Sequence, residues 1–364
     1  MIRHLFTGAA LAGLAALAAS GVSAQSSSAR WSFAVSGDSR NCGDVVMPGI
    51  AESARKNHAE FYWHLGDLRA TYTFDEDILH QPEHVSRPLT ISEYLNGEWQ
   101  DFIDNQIQPF ASAGIPFMLG IGNHELVPPK TRAEFIAQFA DWLDTPMLRE
   151  QRLKDDPRDH MVRTYYRWIR DGIVFYNLDS ASADMFDSAQ MRWFERLLTK
   201  DMADPSIKTI VAGMHEALPD SISSGHSMNE SPTETETGRR VYADLLKAQN
   251  EGHKHVYVLA SHMHIYMSGI FNTDYARQHG GILPGWIAGT AGAVRYKLPE
   301  HSSDALEART NVYGSLLGTV HVDGQIGFIY QPLEESDLPA AIVSRYGQQF
   351  VNWCFAENTQ AKQQ

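Results

Sequence analysis

Asp38, Asp67, Asn123, His215, His262 and His264 stand apart from the rest of the chain because each follows a short apolar run, in the segments Gly37-Asp38, Gly66-Asp67, Gly122-Asn123-His124-Glu125, His215 and Ser261-His262-Met263-His264. Carboxylate suits hard cations and imidazole suits zinc, iron, nickel and copper, so this mixture is a donor set for a catalytic divalent or trivalent metal. It is too large for one ion. Two ions roughly 3.5 to 4 Å apart, sharing a carboxylate and a hydroxide, clamp the attacking and leaving oxygens of an in-line displacement at phosphorus. Water bound there falls from a pKa of about 15.7 to about 7, so hydroxide is the nucleophile and no Ser or Cys is required.

The elements that must position these groups are short strands. Trp31 to Ser36, Phe61 to Leu65, Pro116 to Ile121, Thr209 to Met214 and His255 to Ala260 are apolar, rich in aromatic and β-branched residues, and broken by Gly or by the polar group itself. In an open α/β sheet, ligand groups converge at the carboxyl ends of the strands. Five such ends would aim residues far apart in sequence into one crevice. Between them, Met47 to Asn57, Ser188 to Met202 and Thr237 to Gln249 carry helical stripes, and Asp187 with Gln190 is set for a capping box. Tyr165 to Leu178 reads as a hairpin turning at Asp171-Gly172, and Tyr313 to Tyr330 as one turning at Asp323-Gly324. Arg69 to Pro109 and Leu218 to Thr237 have weak periodicity and read as loops that shape substrate access.

The order and wording of these segments resemble the calcineurin-like metallophosphoesterases, a family that includes the purple acid phosphatases. The likeness runs from Asp38 to Gly289-Thr290-Ala291-Gly292, a turn similar to the glycine-rich turn many members carry after their last histidines. Gly122-Asn123-His124-Glu125 together with His262-x-His264 carries it best. The resemblance implies an α/β fold, a four-layer α/β/β/α sandwich of two mixed sheets flanked by helices, over residues 30–335. It implies two divalent or trivalent ions (Mn, Fe or Zn). Asp67 would bridge them, Asn123, His215 and His262 would complete one shell, and Asp38 and His264 would bind the other ion. His124 matches the position the family uses to steady the transition state or protonate the leaving group.

The chain departs from the family in two places. Many members have Asp-x-His in the first segment, where this chain has Asp38-Ser39-Arg40, and purple acid phosphatases carry Tyr three residues after the second Asp, where this chain has Ala70. One ion therefore lacks its expected fourth ligand, which Asn41, Cys42, Asp44 or water would have to replace. Arg40 cannot bind a cation, but its guanidinium fork fits a pair of phosphate oxygens. It is read as a substrate contact, against the alternative of a surface arginine paired with one of the 44 acidic residues.

Arg3-His4, an apolar stretch from about Leu5 to Ala19 and Gly21-Val22-Ser23-Ala24 have the form of a secretory signal peptide over residues 1–24, so the chain is expected to be exported, periplasmic or secreted. The apolar run falls short of the ~20 residues that span a bilayer, and nothing later reads as a span. The formal charge of −14 becomes one unit more negative when Arg3 is removed, which argues against nucleic acid or an anionic membrane as partner. A small phosphate ester remains compatible, since bound cations dominate the local field. The two cysteines, Cys42 and Cys354, suit a disulfide or a buried thiol better than ligation. Residues 336–364 are read as a C-terminal extension.

Of the 16 histidines, His58, His80, His84, His160, His253 and His279 read as surface residues, His64 and His255 as satisfied strand residues, and His226 as a solvated loop residue with substrate contact as the alternative. Glu125 and Glu216 are expected to orient imidazoles. Taken together, the sequence points to a phosphoesterase acting through metal-bound hydroxide at a two-metal site. The alternative is a non-catalytic or single-metal pseudo-phosphoesterase that binds a ligand or partner. Monoester, diester and nucleotide substrates are all open, because loops and not donors decide among them.

Overall fold

The apolar runs fold as strands because β-branched and aromatic side chains fit a pleated surface covered on both faces. The computed structural model describes residues 28–181, 186–223 and 225–360, and the expected leader lies outside the described residues. Among the described residues the strands are β1 (Ala29–Ser36), β2 (Ala59–His64), β3 (Phe117–Leu119), β4 (Tyr166–Arg170), β5 (Ile173–Asn177), β6 (Thr209–Gly213), β7 (His255–Ala260), β8 (Tyr266–Ser268), β9 (Gly285–Ala288), β10 (Glu307–Arg309), β11 (Tyr313–His321) and β12 (Ile326–Leu333). They form a five-stranded sheet in the order β12-β11-β1-β2-β3 and a seven-stranded sheet in the order β10-β8-β9-β7-β6-β5-β4. In the first, β1, β2 and β3 run parallel. In the second, β5, β6, β7 and β9 do. Both sheets are mixed and flanked by helices, which is the α/β sandwich expected.

The sheets meet through aromatic side chains. Phe33 of β1 and Phe61 of β2 stack at 5.1 Å, and each meets Phe175 of β5 edge-on at 5.3 Å. Trp63 of β2 crosses Trp168 of β4 at 5.0 Å. Each such pair contributes about 0.5 to 1.5 kcal/mol beyond its burial, so the two sheets are fixed in one relative position. A second core lies between the seven-stranded sheet and the helices Ser188–Ala203 and Pro232–Asn250, through Phe194, Leu197, Leu198, Val241 and Leu245.

The helices differ from expectation mainly at their beginnings. Helix α1 (Gly43–Lys56) starts four residues before Met47. Pro232–Asn250 starts five residues before Thr237, behind a reciprocal Ser231/Glu234 capping box. Asp187 caps its helix, but Gln190 turns away to bond the backbone of Asp179, so that box is not reciprocal. The stretch from Arg69 to Pro109 is largely helical rather than a loop. Thr90 and Glu93 form a capping box on Ile91–Phe102, which buries Tyr94, Trp99 and Phe102. Both hairpins form at the expected turns.

Residues 340–356 make two helices, Ala340–Tyr346 and Gln348–Ala356, that return to the sandwich. Cys354 closes a disulfide with Cys42 across a separation of 312 residues, which removes Cys42 from the possible ligands. Among the described residues no helix is long and apolar enough to cross a membrane.

Candidate metal centre

The loops after β1 and β2 run side by side. Asp38 N donates to Gly66 O at 3.0 Å and Ser39 N to Asp67 O at 2.9 Å, continuing the parallel pairing past the strand ends. Asp38 (φ 62°), Asp67 (φ 60°) and His262 (φ 63°) all adopt the left-handed conformation, which is rare for side chains other than Asn and Asp and turns the chain sharply where each strand stops. Glycine permits the close approach of the flanking loops. A Cβ at Gly122 would lie 2.2 Å from Asp67 Oδ1, and one at Gly289 would lie 2.8 Å from Asp38 Oδ2.

Asp67, Asn123, His215 and His262 gather on one side. His215 Nδ1 lies 3.1 Å from Leu65 O, and since a carbonyl only accepts, the ring proton sits there and Nε2 keeps its lone pair. That Nε2 is 2.9 Å from Asn123 Oδ1, 3.0 Å from His262 Nδ1 and 3.3 Å from Asp67 Oδ1. Oxygen and nitrogen lone pairs packed this closely need a proton or a cation among them, and Asp67, His215 and His262 are grouped as a metal ion would require. This half therefore fits a metal ion.

Asp38, Asp67 and His264 form the other group of neighbouring donors, with Asp67 common to both. Asp38 Oδ2 accepts from His262 N at 2.8 Å, while Asp38 Oδ1 and Asp67 Oδ2 are buried without a hydrogen-bond partner. Burial pushes the Asp38 carboxyl up to about 6. Burial also raises Asp67, but His124, His215 and Arg40 outweigh it and hold that carboxyl well below its ordinary value. Burial pulls both His262 and His264 down, which keeps them neutral and able to ligate.

Arg40 enters this second half. Its side chain is buried, at 6 % exposure, which rules out the surface reading. Nη2 donates to His264 Nε2 at 3.0 Å, Nη1 reaches His124 Nε2, and Nε stands 3.9 Å from Asp67 Oδ2. His264 Nδ1 is engaged by Val294 O at 2.6 Å and His124 Nδ1 by Ala70 O at 2.7 Å, so each ring offers Arg40 its one lone pair. The three residues considered as substitutes for a missing ligand are committed elsewhere. Asn41 bonds Glu76 and Val294, Cys42 is in the disulfide, and Asp44 pairs with Arg69. The fully buried Arg69 also contacts Asp77 and Asp101, and Asp101 is pushed up to about 7 by its burial and by neighbouring Asp44.

Glu125 does not orient an imidazole. Its carboxylate accepts from Asp67 N (3.0 Å), Leu68 N (2.8 Å) and Gly122 N (2.8 Å), and so holds the backbone of the loop that carries Asp67. Glu216 does not serve a ring either: its N donates to Ser180 Oγ, and its carboxyl, raised to about 9 by burial and by neighbouring Glu234, shares a hydrogen bond with Glu234. His64 is a satisfied strand residue, bonded to Ser39 Oγ at 3.0 Å and pulled down to about 3 by burial. His226 stands beside the centre, its ring 5.3 Å from that of His262 and 5.2 Å from that of Tyr296. Tyr296 stacks on His264 at 4.1 Å, and the exposed Tyr72 lies tilted against His124 at 5.0 Å. Neither tyrosine was singled out from the sequence. Tyr72 falls in a stretch whose helices were not recognised, and Tyr296 follows the glycine-rich turn with no periodicity to mark it.

No protein-family model matches the sequence, and a search of curated proteins finds no match. Solved structures do resemble it. A purple acid phosphatase from yellow lupin (Lupinus luteus) seeds superposes with a TM-score of 0.55 at 15 % identity, over 83 % of this chain and 51 % of that one. PhoD superposes with a TM-score of 0.52 at 14 % identity, over 86 % and 72 %. A dimetal phosphatase from Danio rerio gives 0.50 at 11 % identity, over 84 % and 100 %. The chain thus spans about half the length of the lupin enzyme. At these identities the likeness is one of fold, and the fold is that of the calcineurin-like metallophosphoesterases.

Proposed function

We propose that this chain, with its metallophosphoesterase fold, is an exported metal-dependent phosphoesterase that hydrolyses a small phosphate ester. The observation that carries the reading is the convergence of Asn123 Oδ1, His262 Nδ1 and Asp67 Oδ1 on His215 Nε2, at 2.9, 3.0 and 3.3 Å from it. A metal ion bound there would supply Lewis acidity and an activated water. Glu125 holds the Asp67 loop, and Leu65 O and Ser261 Oγ orient His215, so the donors are set before an ion arrives. Arg40 supplies a fixed positive charge toward a phosphate oxygen pair, and His124, lying against it, steadies the transferred group, or protonates the leaving oxygen once its Nε2 has gained a proton. Asp38 and His264 complete the set of six donors that two ions would need. The two halves do not fit ions equally, because the guanidinium already uses the lone pair of His264 Nε2.

Residues 30–335 would form the catalytic body and 336–364 a segment tied back onto it. The Cys42–Cys354 disulfide supports export, since such bonds persist in oxidising compartments. Recovery of protein from an exported fraction with residues 1–24 absent by intact mass would agree, and retention of Met1 would overturn it. For activity, a chromogenic phosphomonoester and phosphodiester are tested with added manganese, zinc or iron. Metal-dependent hydrolysis that a chelator abolishes is expected. Metal binding without turnover of either ester would instead favour the single-metal ligand-binding reading, which the occupied half of the centre makes the strongest alternative.

A further inference from the structure

We propose that the guanidinium of Arg40 takes the place of one metal ion, so that the centre binds a single ion, at Asp67, Asn123, His215 and His262. The inference rests on the metal-dependent reading above and refines it. Three observations lead to it. First, the Arg40 guanidinium lies among Asp38, Asp67 and His264 and donates to His264 Nε2 at 3.0 Å. That nitrogen has one lone pair, and its ring proton is fixed on Nδ1 by Val294 O, so it can serve an N–H donor or a metal ion but not both. Second, the groups that could have completed a shell around an ion on this side, Asn41, Cys42 and Asp44, are each bonded to something else. Third, the backbone of the segment is held. Asn41 N donates to Asp75 Oδ1 at 2.6 Å, Cys42 N donates to Arg40 O at 2.9 Å, and Cys42 is covalently tied to Cys354. The side chain is also enclosed by the rings of His124 and His264, which lie beneath Tyr72 and Tyr296 respectively.

A buried guanidinium delivers one unit of positive charge in place of two or three and has no coordination sites, but it presents a planar fork of donors. A phosphate oxygen pair would meet the remaining ion on one side and that fork on the other. Such a centre cannot use its second cation to activate water. It can only bind and stabilise charge there, and a divalent ion approaching the same place is opposed by like charge.

The test is metal stoichiometry, read by elemental analysis and by calorimetric titration of the metal-stripped full chain with manganese alone, with the electron paramagnetic resonance of the manganese-loaded protein beside it. Wild type is expected to take up one equivalent and give the spectrum of an isolated ion. Arg40→His, which restores a ligand and removes the charge, should take up a second equivalent and show spin coupling between two ions, and Arg40→Lys should stay at one. Circular dichroism melts of each variant establish that it is folded. Two equivalents with a coupled spectrum in wild type would overturn the inference, as would a folded Arg40→His that still binds one. The chromogenic ester assay run on the same samples separates the two readings. One ion with no hydrolysis would end the phosphoesterase reading and leave the substitution by Arg40 standing. Two ions with hydrolysis would do the reverse, and no bound ion would end both.

Discussion

The two halves of the centre solve one electrostatic problem differently. Around His215 the chain brings donor atoms together and supplies no cation of its own, and that is the half proposed to take an external ion. Around His264 the chain supplies Arg40, which meets the lone pair of His264 Nε2 from within, while Asp38 Oδ1 and Asp67 Oδ2 keep no hydrogen-bond partner. A third cluster shows the second solution carried to its limit. The fully buried Arg69 holds Asp44, Asp77 and Asp101 at the base of α1, with no part in the centre. The contrast teaches that an incomplete cluster marks where an exchangeable cation belongs, whereas a completed one marks scaffold or fixed charge.

Removing a donor from the incomplete half should have the largest effect. His215→Ala is expected to lower metal content and to reduce turnover by about 10⁴ or more, since both the Lewis acid and the activated water depend on the ion. Elemental analysis beside the ester assay checks this, and full activity with undiminished metal would remove His215 from the centre. Next comes His124, which lies on the Arg40 side. His124→Ala should slow turnover by about 10² to 10⁴ with metal content nearly unchanged. A parallel loss of metal would make His124 a ligand and blur the division between the halves.

Arg69 sharpens the comparison because its substitution should act on the fold alone. Arg69→Met leaves the buried Asp44 and Asp77 and the partly buried Asp101 without their counter-charge and should destabilise the protein by about 3 to 5 kcal/mol, measured by denaturant unfolding. Equal stability in that variant would mean that the acids are already protonated in the native state.

The smallest effect is a pH dependence of the same cluster. Asp101 is raised from 3.8 to about 7 by burial and by Asp44, so the native state holds a proton that the unfolded chain releases. Its contribution to stability is therefore fully present below about pH 4 and is lost as pH rises through about 7. The melting temperature should be a few degrees higher at pH 5 than at pH 8, and Asp101→Asn should narrow that gap. An unchanged gap would assign the slope to other acids.

Local pattern carried far into this molecule. The strand ends bearing Asp38, Asp67, Asn123, His215 and His262 were legible because a buried parallel strand is a continuous apolar run, and a polar residue that stops it is conspicuous. What escaped depended on contacts between distant segments. Glu125 follows Asn123 and His124, yet it serves the backbone of another strand's loop, which spacing cannot reveal. Arg40 looked like a surface residue or substrate contact, and only the convergence of His124 and His264 on its guanidinium shows a buried cation within the donor set. The helix Ile91–Phe102 was obscured by the irregular turns before it, although its Thr90/Glu93 box was there to be read.

The bond between Cys42 and Cys354 also sets an order of events during biosynthesis. The loop bearing Asp38 and Arg40 leaves the ribosome early, but its covalent anchor follows 312 residues later, and β1 also waits for β11 to pair with it. At about 5 to 20 residues per second, that interval is on the order of tens of seconds. The first motif to be synthesised is thus among the last to be locked, and a nascent chain that stops short of residue 354 carries all six metal donors with the Arg40 loop still untethered. Arrival of Cys354 and closure of its bond to Cys42, rather than the presence of the donors, is what finishes this end of the crevice.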